Sequence, residues 1–183
     1  MDHHKQPKPP RELSGHLESM TRVVFSSGLN WRVVEAKWPA IRQAFRDFEP
    51  ERVARMTPRD VDRLAGDSRV IRNVPKIEAT VLNAKEVVAI GKTPDKFRGY
   101  LRSLGPVPEA AAVLRRRFRY LGDHGTYYFL WSVGEKVPPW DEWSRRPSKP
   151  AVIAKAKVKK RGTKSRASSR RPGQSRDQNE PAQ

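Results

Sequence analysis

The same signal for the start of a helix occurs twice in this chain of 183 residues, and it restricts the fold more than any other feature does. In Thr57-Pro58 and Thr93-Pro94, a capping hydroxyl precedes a proline at the first helical position, and an aspartate follows in the first turn. The proline ring holds the φ angle that a helix needs. Since no segment shows the alternation of apolar and polar residues typical of strands, the chain is predicted to be all-α.

Apolar residues recur every three or four positions, as they do on one face of a helix. Helices are predicted in this way over residues 31–48, 77–88, 97–104, 108–117 and 124–133. Pro39 either kinks the first of these segments or begins a second helix there. Together with the two proline-capped starts, these segments predict a compact bundle of seven or eight short helices.

Most of the positive charge lies at the C-terminal end of the chain. Residues 144–183 hold thirteen Lys and Arg but only two acids, which is +11 of the total net charge of +18. A segment with so few apolar residues cannot offset the entropy lost on folding. We therefore expect residues 144–183 to form a disordered basic tail, residues 1–13 a flexible N-terminus, and residues 14–143 the folded domain. The charge favours a polyanionic partner, with nucleic acid ahead of a membrane surface.

The composition excludes several kinds of site. The chain has no cysteine, so disulfides and thiolate metal ligands are excluded, and its histidines lack the spacing of metal ligands. No metal or other cofactor is expected. The sequence contains neither a signal-peptide core nor a run of 18 apolar residues. We expect a cytoplasmic protein that does not contact a membrane, acts as a monomer and associates with the nucleoid through DNA.

A glycine turn between residues 115 and 134 separates an arginine-rich segment from an aromatic-rich one. Gly122 and Gly125 frame this turn, and glycines allow a positive φ or a close approach of the backbone to a partner. The helix after the turn would direct free N–H groups and the positive end of its dipole towards a phosphate, and Arg119 would hold a neighbouring phosphate. The pattern predicts a helix-hairpin-helix grip on DNA. The alternative is an ordinary helical hairpin with a solvated basic helix.

Further motifs stand in order before this hairpin. They are Gly28-Leu29-Asn30-Trp31, Ala44-Phe45, Phe48-Glu49-Pro50, Val53-Ala54, Asp60-Val61, Arg63-Leu64, Ile71-Arg72-Asn73, Lys76-Ile77, Ala79 and Asn83-Ala84. The hairpin segment adds Phe118, Arg119, Gly122, Tyr127, Phe129, Val133 and Gly134. Over residues 17–140 this pattern resembles the DNA-3-methyladenine glycosylase I family. The resemblance implies a base-excision repair enzyme that hydrolyses the N-glycosidic bond of alkylated purines, such as 3-methyladenine, in double-stranded DNA.

The resemblance also implies roles for individual residues. It places Trp31 at the family's pocket tryptophan, where it would stack on the damaged base; the alternative is a core tryptophan, which is the reading we favour for Trp38. Arg72 and Lys76 lie at a loop-to-helix start, where they either hold the DNA backbone or form a solvated basic face. With Arg119, Gly122 and Gly125 they complete the predicted set of DNA-backbone contacts.

The sequence departs from the family's pattern at the pocket. The family's base-reading glutamate lies eight positions before the pocket tryptophan, and Val23 stands there in this chain. The family's zinc site needs two Cys and two His, but this chain has no Cys, and Trp140 stands near the place of the last His. The catalytic residue therefore stays unassigned, since the other nearby acids, Glu18, Glu35, Asp141 and Glu142, are more typical of surface residues. These departures keep open a glycosylase-derived domain that binds DNA or alkylated DNA without cutting it.

Overall fold

The computed structural model describes residues 6–146, and within them it contains helices and no strand. The helices are α1 (Leu13–Ser26), α2 (Trp31–Ala44), α3 (Pro50–Ala54), α4 (Pro58–Gly66), α5 (Val74–Ile90), α6 (Pro94–Ser103), α7 (Val107–Arg117), α8 (Asp123–Ser132) and α9 (Trp140–Arg145), with a 3₁₀ turn at Arg46–Phe48 between α2 and α3. The all-α prediction is confirmed. The described residues hold slightly more helices than the seven or eight predicted.

Helices α4 and α6 begin at the predicted proline-capped starts. The Thr57 hydroxyl accepts a hydrogen bond from the Asp60 N–H (3.3 Å), and the Asp60 carboxylate accepts one from the Thr57 N–H (2.8 Å). This second bond stabilises the ionised carboxylate and lowers the pKa of Asp60. The Thr93 hydroxyl caps α6 in the same way, by accepting from the Lys96 N–H at 3.3 Å. Each cap satisfies backbone donors that have no partner inside the helix.

Helix α2 is shorter than the apolar pattern predicts. It accommodates Pro39 in its interior and ends at Ala44. The chain then turns through three consecutive residues with positive φ, Arg46, Asp47 and Phe48, at 56°, 55° and 58°. Such angles are unfavourable for residues with a Cβ. Here the turn carries the Phe48 ring into the core, where it stacks on Trp38 with the ring centroids 5.6 Å apart.

Helix α5 is the central element, because it packs against α1, α3, α4 and α6. The aromatic residues that are fully buried in the main core are Phe25, Phe45, Phe48, Phe97, Phe118 and Phe129. A smaller buried cluster of Ala111, Tyr127 and Trp143 joins α7, α8 and α9. Helix α9 therefore extends the folded body slightly beyond the predicted boundary at residue 143.

The proline-rich residues 6–12 contact the body, although we expected the N-terminus to be flexible. The Gln6 amide donates hydrogen bonds to the backbone oxygens of Trp131 (3.2 Å) and Glu135 (2.7 Å). Pro9 lies against Gly134, where a Cβ would come within 2.7 Å of the Pro9 ring, and the φ of this glycine is +78°. Residues 1–5 and residues 147–183, where the basic tail is predicted, lie outside the described residues.

Candidate nucleic-acid interface

The turn between α7 and α8 is held in place by a buried side chain of α5. The Asn83 amide oxygen accepts from the Arg119 N–H at 2.7 Å, and the Asn83 amide nitrogen donates to the Arg119 carbonyl at 3.1 Å. Because Asn83 is buried, these bonds satisfy it and fix the position of the turn. The sequence motif contained Asn83, but only the structure shows that it clamps the backbone of Arg119.

The two glycines of the turn have different structural roles. Gly122 has a φ of −70°, so of the two properties that glycine offers, only the close approach of the backbone applies to it. A Cβ built on it would meet nothing within 4 Å, and the residue is exposed at the start of α8. A Cβ on Gly125 would lie 3.0 Å from Cγ1 of Val23, so Gly125 allows α8 to pack closely on α1. The positive φ of the turn belongs to Tyr120, at 58°.

The four arginines before the turn divide into paired and exposed residues. Arg115 pairs with Asp123 at 2.7 Å, and Arg117 pairs with Glu86 at 2.8 Å. Arg116 and Arg119 are exposed, and within residues 6–146 neither guanidinium forms an ion pair. The exposed pair is therefore free to meet a phosphate.

Asp123, in the first turn of α8, also pairs with Arg146 at 3.1 Å. Its carboxylate lies near the positive end of the helix dipole. Arg115 and Arg146 flank this carboxylate, so the net charge at the start of α8 remains positive.

Arg72 and Lys76, which the sequence assigned to the same role, are placed differently. Arg72 is exposed just before α5. Lys76 is only 4% exposed, and its ammonium donates to the Phe25 carbonyl at 3.0 Å and to the Ser27 carbonyl. Burial lowers the pKa of Lys76. The prediction of Lys76 as a DNA contact is therefore wrong, because its ammonium is bound to carbonyls at the end of α1 and is buried away from any phosphate.

Trp31 is exposed at the first position of α2. The Asn30 side chain caps this helix by accepting from the Arg32 N–H at 3.0 Å, and Gly28, with a φ of +71°, turns the chain before it. Trp31 is 47% exposed, which excludes the core-tryptophan alternative. The bonds from Lys76 fasten the end of α1 and the start of the following loop to α5, so the loop that leads to Trp31 is anchored from the interior.

Of the four acids considered as substitutes for the missing glutamate, two are engaged with other side chains and two are exposed on α9. Arg22 pairs with Glu35 and also lies 3.6 Å from Glu18, and the Glu18 carboxylate accepts the Trp38 indole N–H at 2.8 Å. Asp141 and Glu142 are exposed on α9. Val23 itself packs against the core beside Gly125. Among residues 6–146, none of these acids therefore stands in the place of the family's glutamate.

Aromatic rings occupy the region around Trp140. The Trp140 ring contacts His124, Tyr127 and Tyr128, with centroid distances of 5.3, 5.0 and 5.1 Å. The Tyr127 hydroxyl donates to the Pro138 carbonyl at 2.9 Å, and burial raises the pKa of Tyr127.

In the described part of the chain, no group of three acidic or histidine side chains is arranged to hold a metal. No described helix is long and apolar enough to cross a bilayer.

Comparison with known proteins decides the family. The model of the methyladenine glycosylase family matches residues 7–116. The chain belongs to this family. The matched residues include Trp31, Arg72 and Asn83 but end before the turn between α7 and α8, so the role of the hairpin rests on its own geometry.

The relatives include methyladenine glycosylases from bacteria. A DNA-3-methyladenine glycosylase of Haemophilus influenzae is 30% identical over 129 residues, which are 59% of this chain and 70% of the relative. DNA-3-methyladenine glycosylase 1 of Escherichia coli is 27% identical over 129 residues, covering 59% and 69%. The solved structure of 3-methyladenine DNA glycosylase I from Staphylococcus aureus aligns with a TM-score of 0.61 at 27% identity, over 72% of this chain and 81% of that one.

Proposed function

We propose that this methyladenine glycosylase removes alkylated purines such as 3-methyladenine from double-stranded DNA by hydrolysing the N-glycosidic bond. The observation that carries the proposal is Trp31, a tryptophan at the start of a helix with half of its surface exposed. A solved relative, a variant of 3-methyladenine DNA glycosylase I, is described as a complex with 3-methyladenine; it is 26% identical with a TM-score of 0.60, over 81% of this chain and 89% of that one.

The chemistry requires positioning more than strong acid catalysis. A base must leave the duplex stack to be excised, at a cost of about a few kcal/mol, and stacking on an aromatic ring returns roughly 1–3 kcal/mol per base. Trp31 is the residue we assign to this stacking. An N3-alkylated adenine is already cationic and is therefore a good leaving group, so holding it in place accounts for much of the task.

The turn between α7 and α8 is proposed to hold the DNA backbone. Arg119 and Arg72 would each contact a phosphate, and the exposed backbone at Gly122 would bring the first N–H groups of α8 close to another. Gly125 contributes by letting α8 pack on α1, which sets the position of these amides. Phosphate contacts of this kind hold damaged and undamaged duplexes alike, because they carry no information on the base.

The activity is tested with duplex DNA that contains 3-methyladenine. We expect the full chain to release free 3-methyladenine and to leave abasic sites, which are measured by chromatography of the base and by alkaline cleavage of the strand. Strand cleavage without alkali would instead indicate a lyase and contradict a purely hydrolytic enzyme. A chain that binds this DNA and releases no base would contradict the enzymatic proposal.

A second function is favoured by Val23: a glycosylase-derived protein that binds alkylated DNA without excising the base. A cationic base in a pocket without a carboxylate lacks a neutralising partner. The variants Val23→Glu and Val23→Gln separate the two functions, since they match in size and differ in charge. Base release that is absent in the parent and arises only in Val23→Glu supports the binding protein. Release by the parent at a rate that Val23→Glu does not raise supports the enzyme.

The role of the turn is tested by Gly122→Val. The backbone angles of Gly122, φ −70° and ψ −174°, suit valine, and the space around it is open, so the variant should fold. We expect weaker binding to damaged and undamaged duplexes alike, because the side chain keeps the backbone away from the phosphate. Gly66→Val is the matched control, since Gly66 is also exposed with nothing within 4 Å of a Cβ. Equal affinity of Gly122→Val and the control would contradict the phosphate contact.

The basic segment at the C-terminal end is proposed to add affinity without sequence preference. Each phosphate neutralised on duplex DNA contributes about −0.9 to the slope of log K against log salt. Removing residues 147–183, which hold eleven Lys and Arg, should flatten this slope by several units while the lesion preference stays the same. The truncation keeps Arg146 and its pairing with Asp123. An unchanged slope would show that the segment serves something other than DNA.

The monomeric state and the location of the protein are proposed as well. Nothing in the proposed site requires a second copy of the chain. Light scattering should give a mass near 21.0 kDa, and a doubled mass would contradict the monomer. In lysed cells the protein should sediment with the nucleoid at low salt and leave it at high salt, since the attraction is mainly electrostatic.

A further inference from the structure

Tyr120 has an unusual combination of backbone and side-chain properties. Its φ is 58°, a value that residues with a Cβ rarely adopt and that glycine adopts without strain. Its side chain is 47% exposed, and no described hydrogen bond or aromatic contact involves it. Tyr120 therefore stands at a position where the backbone favours glycine, and its half-exposed ring makes no described hydrogen bond or aromatic contact that would stabilise the fold.

Phe48 shows what a strained aromatic residue looks like when packing explains it. Its φ is also 58°, but its ring is fully buried and stacks on Phe45 and Trp38. The contacts in the core offset the unfavourable backbone. Tyr120 lacks that compensation, and uncompensated strain on an exposed residue is typical of functional positions.

The surroundings of Tyr120 hold it rigidly at the junction of the hairpin and α1. Asn83 clamps the backbone of the preceding Arg119, and the following Leu121 is buried. The carbonyl of Tyr120 and a methyl of Val23 lie 3.8 Å and 3.0 Å from the point where a Cβ of Gly125 would stand. The strained turn is thus pinned on both sides, next to the helix that carries position 23.

We propose that the Tyr120 ring stacks on a nucleotide that has lost its place in the duplex. This inference rests on the proposed function, because it requires DNA held at the turn between α7 and α8. An intact duplex offers phosphates, sugars and groove edges, whereas a flipped or orphaned nucleotide exposes the face of a base. An aromatic face gains stacking energy only from the latter, so Tyr120 contributes to lesion recognition and not to general DNA binding.

Tyr120→Gly separates the ring from the fold. Glycine removes the ring and relieves the backbone, so the melting temperature should stay the same or rise. Affinity for a duplex with an abasic-site analogue should fall by about 5- to 150-fold, the equivalent of one stacked base, while affinity for the undamaged duplex should change less than about twofold. Tyr120→Phe keeps the ring and should match the parent on both duplexes. Phe48→Gly is the matched control for strain, and its melting temperature should fall because a core ring is lost.

Two outcomes overturn the inference. An unchanged affinity of Tyr120→Gly for the abasic-analogue duplex, in which the orphaned base is the one available for stacking, would contradict the stacking role of the ring. An equal loss on both duplexes would show a contact to the intact backbone. A parent that binds the analogue and releases no base from alkylated DNA would contradict the enzymatic proposal, but the effect of Tyr120→Gly on binding would still support the stacking role.

Discussion

Helix α2 carries two tryptophans with opposite environments, Trp31 at its first position and Trp38 in its middle. Trp31 and Trp38 are seven residues apart, which places them within about 20° of each other around the helix axis, yet Trp31 is 47% exposed and Trp38 only 6%. Trp38 stacks on Phe48, lies under the Arg22 guanidinium at 4.1 Å and bonds to Glu18. The difference teaches that one face of a helix can be exposed at its start and packed in the core two turns later, because the core does not extend along the whole helix.

The sharpest test of this comparison replaces the buried tryptophan. Trp38→Ala removes a ring that stacks in the core, so the free energy of unfolding should fall by about 3–5 kcal/mol. Urea denaturation followed by circular dichroism measures this loss. Trp38→Phe is the control, because it keeps an aromatic ring and should lose less. A loss no larger than that caused by Trp31→Ala would contradict the division between the exposed start of α2 and its buried middle.

The exposed tryptophan should affect binding instead. Trp31→Ala should weaken binding to duplexes with alkylated bases by roughly 1–3 kcal/mol, since stacking acts only on the flipped base. Fluorescence anisotropy with matched damaged and undamaged duplexes measures the difference, after melting has shown that the variant is folded. Undamaged binding should be unaffected. Equal weakening on both duplexes would show that Trp31 contacts the DNA backbone and would refute the pocket assignment.

Replacing Lys76, which anchors the end of α1 before Trp31, should have a smaller effect, and the effect should be on stability. Lys76→Met leaves the Phe25 and Ser27 carbonyls without their donor, which should cost about 1–3 kcal/mol of stability. The salt dependence of DNA binding should not change, since Lys76 contacts no phosphate. Denaturation and a salt titration of binding provide the two measurements. If the variant is as stable as the parent and its salt slope flattens, Lys76 acts as a phosphate contact after all.

Lys76 also predicts a pH dependence that the same variant isolates. Its pKa is lower in the folded chain than in the unfolded one, so between those two values the unfolded chain binds more protons. The stability contributed at this site should therefore rise with pH up to about 10.5 and level off there. The difference in unfolding free energy between the parent and Lys76→Met, followed through the alkaline range, should widen with pH. A difference that is constant or narrows would contradict the burial of the ammonium.

The smallest expected effect belongs to the exposed neighbour. Arg72→Ala should flatten the slope of log K against log salt by about 0.9, the contribution of one phosphate, and should leave the melting temperature unchanged. Together, Arg72→Ala and Lys76→Met compare an exposed cation with a buried one. The comparison is sharp because the two residues are only four positions apart. An unchanged slope in Arg72→Ala would remove it from the proposed interface.

Local signals explain why much of the fold could be predicted. The capped starts at Thr57 and Thr93 and the apolar spacing of residues 77–88 act within a few residues, so they are visible in sequence and the structure confirms their helices. The turn after α2 was missed, because the positive φ values at residues 46–48 depend on a core that accepts the Phe48 ring. No local pattern contains that information.

The sequence by itself determined that this chain is helical, basic and a methyladenine glycosylase, because caps, charge and ordered motifs are properties of neighbouring residues. Only the tertiary structure decided which residues of those motifs are exposed. Arg72 and Lys76 lie at the same helix start, and Gly122 and Gly125 lie in the same turn. In each pair the first residue is exposed and the second packs against another segment. Burial arises where distant segments meet, as when the end of α1 covers Lys76 and Val23 meets Gly125, so spacing along the chain cannot specify it.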